Sequence, residues 1–318
     1  MKLKSAALWR SIKFLLDKAV RLRLSGRYKI ALITARDVSS KAAKYGFPDL
    51  EIQALWEILD SAKVLHPENQ ADLIRAARRA SALSKESGDP LPMLEADVRW
   101  GALQRAMGQH RKAARVLKKC LANSLIGRDP ELKAYALWNL GFALRMCLDL
   151  RQAVGSFRRS HQIFRRLGDS SGLAYSLCGL AGATRLAGQP GRSLGFYRRA
   201  FVLFQKERDP YGLAYTSCGM ANALRRMGKY SQALVGYNRA ERLYRKLGDR
   251  VNEGYVLWGR MVCSRALQRK KQAAKDLKRA GSIFRATKDH RGLALLGVWA
   301  NQPKKGLSET AIKEARLS

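Results

Sequence analysis

Apolar and polar positions along this chain follow the spacing of amphipathic helices, and the whole pattern recurs every 40 residues. In each unit an apolar segment follows an aspartate, a turn signal comes about nineteen residues later, and a second apolar segment runs to the next aspartate. The aspartates that mark the period are Asp49, Asp89, Asp129, Asp169, Asp209, Asp249 and Asp289. A period held over so many units predicts stacked supersecondary units rather than one globular core.

Each unit is predicted to be two helices joined by a short turn. The aspartate is expected to cap the first helix by accepting from unpaired backbone N–H groups. Pro90, Pro130 and Pro210 follow it at the first helical position, where a missing N–H costs nothing. The turn glycines are Gly108, Gly188 and Gly228. Close packing of the two helices is predicted by small residues in the second helix at Ala113, Ala153, Ser193, Ala233 and Ala273.

Two segments carry a resemblance to the tetratricopeptide repeat (TPR). They are Asn139-Leu140-Gly141, followed by Ala153, Phe157 and Ser160, and Gly228 to Leu234, followed by Tyr237 and Ala240. The 40-residue spacing, with Leu-Gly-Asp closing units at Asp169 and Asp249, is similar to the longer-helix variant of spindle-orientation adaptors and some bacterial regulators. The resemblance implies an all-α, right-handed superhelical solenoid of about six to seven helix-turn-helix repeats that serves as a protein-interaction scaffold or adaptor.

The chain is predicted to be one continuous array, because no Pro/Gly/Ser-rich linker or low-complexity tract interrupts it. We expect residues 1–48 to be a degenerate N-terminal repeat or cap, residues 49–300 the array, and residues 301–318 a loop and capping helix. The basic N-terminus predicts an amphipathic first helix. A membrane-surface or organelle-targeting role for that helix stays open as an alternative.

The net charge of the chain indicates what kind of partner it binds. Lys and Arg number 61 against 25 Asp and Glu, which gives a formal net charge of +36 over 318 residues. Solubility requires far less charge than this, so an anionic partner is expected.

The 40-residue register places arginines at one position late in five successive first helices. We call Arg105, Arg145, Arg185, Arg225 and Arg265 the arginine column. Seven residues earlier, on the same helix face, stand Val98, Trp138, Cys178, Cys218 and Trp258. Three residues before those comes the tyrosine column, Tyr135, Tyr175, Tyr215 and Tyr255. If the register of the resemblance holds, these columns line a concave groove. For the tyrosines, packing between repeats is the favoured interpretation; for the arginines, ligand binding is favoured, because stacked like charges cost stability unless screened.

A second set of cations follows the bulky core position of each second helix. We call Lys119, Arg159, Arg199, Arg239 and Arg279 the outer basic column. It is expected to face outward, as either a solvated coat or a binding surface.

The sequence contains no phosphate-binding loop, no GxGxxG and no HExxH or paired Cys/His spacing of a metal site. Its four histidines are scattered singly. Five cysteines without CxxC spacing favour the cytoplasm or another reducing compartment. We therefore predict a non-catalytic protein without metal or cofactor.

Two classes of partner remain. In the first, which the resemblance to the adaptors also implies, the groove holds an extended acidic segment of a partner protein, with arginines pairing with carboxylates. In the second, the same surfaces bind phosphates of RNA or DNA. Docking on a membrane surface is a third alternative. The sequence does not determine the oligomeric state.

Overall fold

A computed structural model describes residues 2–65 and 70–300, and every regular element in these ranges is a helix. Backbone contacts divide the chain into two compact units, Met1–Gly168 and Asp169–Ser318. The helices of the first unit are α1 (Lys2–Leu24), α2 (Tyr28–Tyr45), α3 (Pro48–Leu65), α4 (Gln70–Glu86), α5 (Pro90–Ala106), α6 (His110–Ala122), α7 (Pro130–Met146) and α8 (Leu150–Leu167), with a short 3-10 helix at Ser124–Gly127. Those of the second unit are α9 (Ser170–Leu186), α10 (Pro190–Lys206), α11 (Pro210–Arg226), α12 (Tyr230–Leu247), α13 (Arg250–Ala266), α14 (Lys270–Ala286) and α15 (His290–Ala300).

Within each unit, every helix packs on its sequence neighbours, and first helices of adjacent repeats also touch. In the first unit α5 packs on α6 and α7; in the second α11 packs on α10, α12 and α13. The first helices are therefore enclosed, and the second helices keep one face in solvent. This arrangement confirms the all-α array of helix pairs.

The periodic aspartates cap the first helices as predicted, with one exception. The Asp169 carboxylate accepts from the Gly172 N–H at 2.8 Å, and equivalent bonds are made by Asp89, Asp129, Asp209, Asp249 and Asp289. Asp49 is not a cap, because α3 begins one residue before it at Pro48. The proline precedes the aspartate here instead of following it, and proline favours the first helical position.

The turns inside the repeats use left-handed backbone. Gly108, Gly188 and Gly228 have φ between +73° and +78°, where glycine is unstrained. Leu148 and Gln268 occupy the same repeat position with φ of +65° and +59°. The turn geometry therefore persists where the sequence lacks glycine.

Small residues meet bulky ones where neighbouring helices cross, both within a repeat and between adjacent repeats. A Cβ on Gly141 of α7 would lie 2.9 Å from the Phe157 ring of α8. In the second unit, a Cβ on Gly219 of α11 would lie 2.3 Å from the Tyr197 ring of α10. Ala153 and Ser193 are fully buried at the predicted close contacts.

One prediction lies outside the described residues, namely the loop and capping helix expected at residues 301–318. The described division falls at a repeat boundary after Gly168, and the boundaries at 48/49 and 300/301 stay predictions. No helix in the described part of the chain is long and apolar enough to cross a membrane.

Candidate functional site

The arginine column is buried in its middle and exposed at its last member. Arg145 and Arg185 are only 7% and 8% exposed, Arg105 and Arg225 are half-buried, and Arg265 is exposed. The column is therefore not the open row of cations that the sequence suggested. Its buried members must have their charge compensated locally, because desolvating a guanidinium is costly.

In the first unit, two column arginines stack on the aromatic face of α7. The Arg105 guanidinium lies 5.2 Å from the Trp138 ring centre and 4.6 Å from that of Phe142, and its Nε–H donates to Asn139 Oδ1 at 2.9 Å. Arg145 also lies over this cluster, 4.2 Å from the Phe142 ring centre. Such cation–π contacts hold a guanidinium flat while leaving its edge N–H groups available.

Phe142 and Asn139 were missed as members of this site. Phe142 lies three residues before Arg145, a spacing that places both side chains on one helix face. The signal was therefore present in the spacing, but Phe142 has no counterpart in neighbouring repeats and the column pattern did not include it.

In the second unit, Arg225 of α11 stacks on Trp258 of α13, 5.0 Å from its ring centre. Its Nε–H donates to the Tyr237 hydroxyl at 3.1 Å, and that hydroxyl donates to Asn222 Oδ1 at 2.7 Å. Trp258 follows Arg225 by the same number of residues as Trp138 follows Arg105. In both units, therefore, an arginine packs on the aromatic residue of the following repeat.

Two column arginines have no carboxylate partner within the described ranges. Neither Arg145 nor Arg225 forms an ion pair there, and Arg225 Nη2 is buried without a hydrogen-bond partner. Aromatic rings and neutral oxygens compensate only part of a buried positive charge. The column therefore has a deficit of negative charge at both positions.

The thiols beside Arg225 are unreactive at neutral pH. Burial raises the pKa of Cys218 to about 11, although the charges of Arg185 and Arg225 oppose the shift, and burial likewise raises the pKa of Cys263 to about 11. A thiol with such a pKa is protonated at neutral pH and is a poor nucleophile.

The tyrosine column makes packing contacts. Tyr175 packs edge-on against Phe204, with ring centres 4.8 Å apart, and its hydroxyl donates to the Asp209 carboxylate at 2.8 Å. Tyr255 packs similarly on Phe284 at 5.1 Å. Tyr135 lies under the Arg99 guanidinium, and Tyr215 packs on Tyr197. Since Asp209 caps α11, Tyr175 links one repeat to the helix start of the next.

The outer basic column is exposed in its middle and paired at its end. Lys119, Arg159, Arg199 and Arg239 are exposed and form no ion pair within the described part of the chain. Arg279 instead pairs with Glu241 at 2.8 Å and with Glu253 at 3.3 Å. Arg279 is therefore held by ion pairs, and Arg239 lies over the Phe201 ring, 5.3 Å from its centre.

That pairing belongs to a buried ion network, which the sequence analysis missed. Arg260 of α13 donates to both oxygens of Asp276, at 2.6 and 2.8 Å, and to Glu241 at 2.5 Å. Burial opposes ionisation of Glu241, but Arg260 and Arg279 outweigh it and lower the Glu241 pKa. Earlier repeats carry apolar Leu180 and Met220 at the position of Arg260, so the break in the pattern was the available signal.

Within the described ranges, no group of His, Cys, Asp and Glu side chains could hold a metal ion. No protein-family model matches the chain, and no curated protein matches it in sequence.

Solved structures match the fold. A Rap protein complexed with Competence and Sporulation Factor is similar with a TM-score of 0.70 at 10% identity, over 91% of this chain and 81% of that one. PlcR from Bacillus thuringiensis, in complex with the peptide PapR7 and DNA, has a TM-score of 0.53 at 14% identity, over 79% and 98%. A signal transduction ATPase with a tetratricopeptide repeat sensor, from Pyrococcus horikoshii, has a TM-score of 0.59 at 16% identity, over 100% and 52%.

At these identities the likeness concerns the fold alone. Together with the capped helix pairs and their small-to-bulky contacts, it shows that this chain has the TPR-type helical-repeat fold.

Proposed function

We propose that the protein is a non-catalytic interaction scaffold that binds an extended acidic segment of a partner protein along the arginine column. The observation that carries the proposal is the unmatched charge of Arg145 and Arg225, since buried charges in proteins are normally paired. A carboxylate is the anion that a planar guanidinium binds best, through two parallel N–H···O bonds.

The aromatic residues beside the arginines fit a peptide ligand. Trp138 and Phe142 are half-buried, so each keeps some apolar surface beside the cations. A peptide could place apolar side chains on these rings and carboxylates on the guanidinium edges. The similarity in fold to PlcR, which is in complex with a peptide, agrees with this type of ligand.

The repeat geometry suggests a spacing for the acidic residues. Within one unit, first helices of adjacent repeats pack directly, as α11 does on α13, so neighbouring column arginines of the same unit are about 8–10 Å apart. A polyproline II chain advances about 3.1 Å per residue with three residues per turn, so every third side chain faces the same way about 9 Å further on. The preferred segment then has an acidic residue at every third position.

Fluorescence anisotropy with synthetic peptides tests this function. The probe is a labelled peptide with glutamate at every third position and with leucine and proline between; one control has glutamine in place of glutamate, and another has the same composition with its glutamates clustered. We expect the spaced acidic peptide to bind most tightly and the glutamine peptide to lose binding. Equal binding of the acidic and glutamine peptides, or no binding of either, would contradict the proposal.

A further inference from the structure

The charge of this chain is concentrated on its second helices. In the first unit, α6 and α8 contain no aspartate or glutamate and carry five cations each, all exposed. We call these residues the basic face: Arg111, Lys112, Arg115, Lys118, Lys119, Arg151, Arg158, Arg159, Arg165 and Arg166. The first helices α5 and α7, by contrast, mix acidic and basic residues.

The basic face lies on the sides of α6 and α8 that point away from α7. The buried stripes of α6 and α8 contain Leu117, Cys120, Phe157 and Phe164, and both helices pack on α7. The cations occupy the opposite sides, at helical spacings of three, four and seven residues that keep them together. Within the described part of the chain, none of them forms an ion pair with a carboxylate.

A solvated coat does not account for this arrangement. Soluble surfaces usually intersperse both signs of charge, and like charges three or four residues apart on a helix destabilise it. The exposed pairs Arg111/Arg115, Arg115/Lys118 and Arg115/Lys119 of α6 have this spacing and therefore cost stability in the free protein. A polyanionic partner would remove that cost.

We propose that the basic face binds the phosphate backbone of double-stranded nucleic acid without reading its sequence. This surface is separate from the arginine column, and its binding does not depend on the acidic-peptide function. Arginine and lysine contacts to phosphates supply affinity by releasing condensed counterions, which requires charge density rather than a shaped pocket.

The composition of the face favours a duplex over the other polyanions. Aromatic side chains that stack bases contribute about 1–3 kcal/mol per base to single-strand binding, and α6 and α8 expose no aromatic residue. Helices that lie in a membrane surface insert an apolar side, whereas here the apolar stripes are buried and Leu167 is the only large hydrophobic residue that α6 and α8 expose. A duplex keeps its bases stacked inside and presents its phosphates outside. It therefore suits a face that carries cations and exposes no aromatic residue.

The test compares two variants that remove the same charge from different places. The face variant carries Lys118→Gln, Lys119→Gln, Arg158→Gln and Arg159→Gln. The control variant removes four exposed cations from α1, α2 and the turn between them through Arg10→Gln, Lys18→Gln, Arg27→Gln and Lys29→Gln. All these positions are exposed, and thermal melts confirm that each full-length, nuclease-treated protein is folded.

Binding to short mixed-sequence DNA and RNA duplexes is measured by fluorescence anisotropy between about 50 and 200 mM salt. We expect the control variant to stay within about twofold to threefold of the wild type. The face variant should bind at least about tenfold more weakly, and the slope of log affinity against log salt should fall by about 0.9 for each DNA phosphate that the variant no longer neutralises.

Three outcomes would overturn the proposal. Equal losses of affinity in both variants would mean that net charge alone is responsible. Tighter binding to a single strand than to a duplex of the same length would exclude the duplex. If the face variant loses binding to phosphatidylserine vesicles but not to duplexes, the partner is a membrane. The arginine column is intact in both variants. If the face variant still binds the spaced acidic peptide, its loss of duplex binding does not arise from a loss of the peptide function.

Discussion

Single residues set how closely the helices approach. Gly141 leaves room for the Phe157 ring, which would lie 2.9 Å from any Cβ placed there. Gly155, one helix later, has no other heavy atom within 4 Å of its Cβ position. Gly141 is therefore required for close helix packing, whereas Gly155 meets no steric constraint from a neighbouring helix.

Replacing Gly141 by leucine should overpack the contact between α7 and α8. We expect a loss of about 1–3 kcal/mol in the free energy of unfolding, measured by thermal and urea denaturation. Gly155→Leu is the matched control and should be neutral or slightly stabilising, because leucine favours helix more than glycine does. Similar losses in both variants would show that the contact with Phe157 is not the cause.

Elements are joined through the helix caps. Asp209 accepts from the Gly212 N–H at 2.9 Å at the start of α11, and from the Tyr175 hydroxyl of α9 at 2.8 Å. The same carboxylate therefore starts one helix and fixes it to the previous repeat.

Asp209→Ala should remove both bonds and cost about 1.5–3 kcal/mol, which combines the loss of a cap with that of a hydrogen bond. Tyr175→Phe removes only the second bond and should cost about 0.5–1.5 kcal/mol. Chemical denaturation of the two variants tests whether Asp209→Ala costs more stability than Tyr175→Phe. If Tyr175→Phe is as damaging as Asp209→Ala, the capping bond contributes little.

The ion network joining α12, α13 and α14 should make stability depend on pH. The Glu241 carboxylate has a lowered pKa in the folded state, so the stability that it contributes is present at neutral pH and is lost as the pH falls below the ordinary value of 4.5. Glu241→Gln should therefore cost about 1.5–3 kcal/mol at neutral pH, and the difference from the wild type should shrink in acid.

Thermal melts across this pH range provide the measurement. The control is Glu207→Gln, which changes an exposed glutamate outside the network. A difference between Glu241→Gln and the wild type that stays constant down to acid pH would show that Glu241 acts through packing rather than through its charge.

Much of the element level was predictable because it depends on local rules. Capping aspartates, prolines at helix starts and alanines at close contacts act within one repeat, and the 40-residue period repeats their signal. Asp49 departs from its prediction because Pro48 moves the helix start by one residue. The turn at Leu148 shows that tertiary packing can impose left-handed backbone without glycine.

The candidate site was less predictable, because burial depends on contacts between repeats. Periodicity located the arginine column, but not that Arg145 would be 7% exposed and stacked on Phe142. The ion network around Arg260 involves residues that do not recur from repeat to repeat, so the 40-residue periodicity does not reveal them.

For the whole molecule, a net charge of +36 is divided between two kinds of surface. Exposed cations on the second helices form dense basic faces, and arginines on the first helices are held against aromatic rings. The first kind suits long-range attraction of polyanions, and the second suits short-range recognition of individual carboxylates.

The measurement that tests the central claim most directly is calorimetric titration of the spaced acidic peptide into the wild type, Arg145→Gln and Arg225→Gln. Arg10→Gln, which removes an exposed cation of α1, is the control with the same change in charge. We expect each column variant to bind about tenfold to a hundredfold more weakly, as the removal of a charge-assisted hydrogen bond implies, and the control to bind like the wild type. Folded column variants that bind the peptide as tightly as Arg10→Gln would contradict the account.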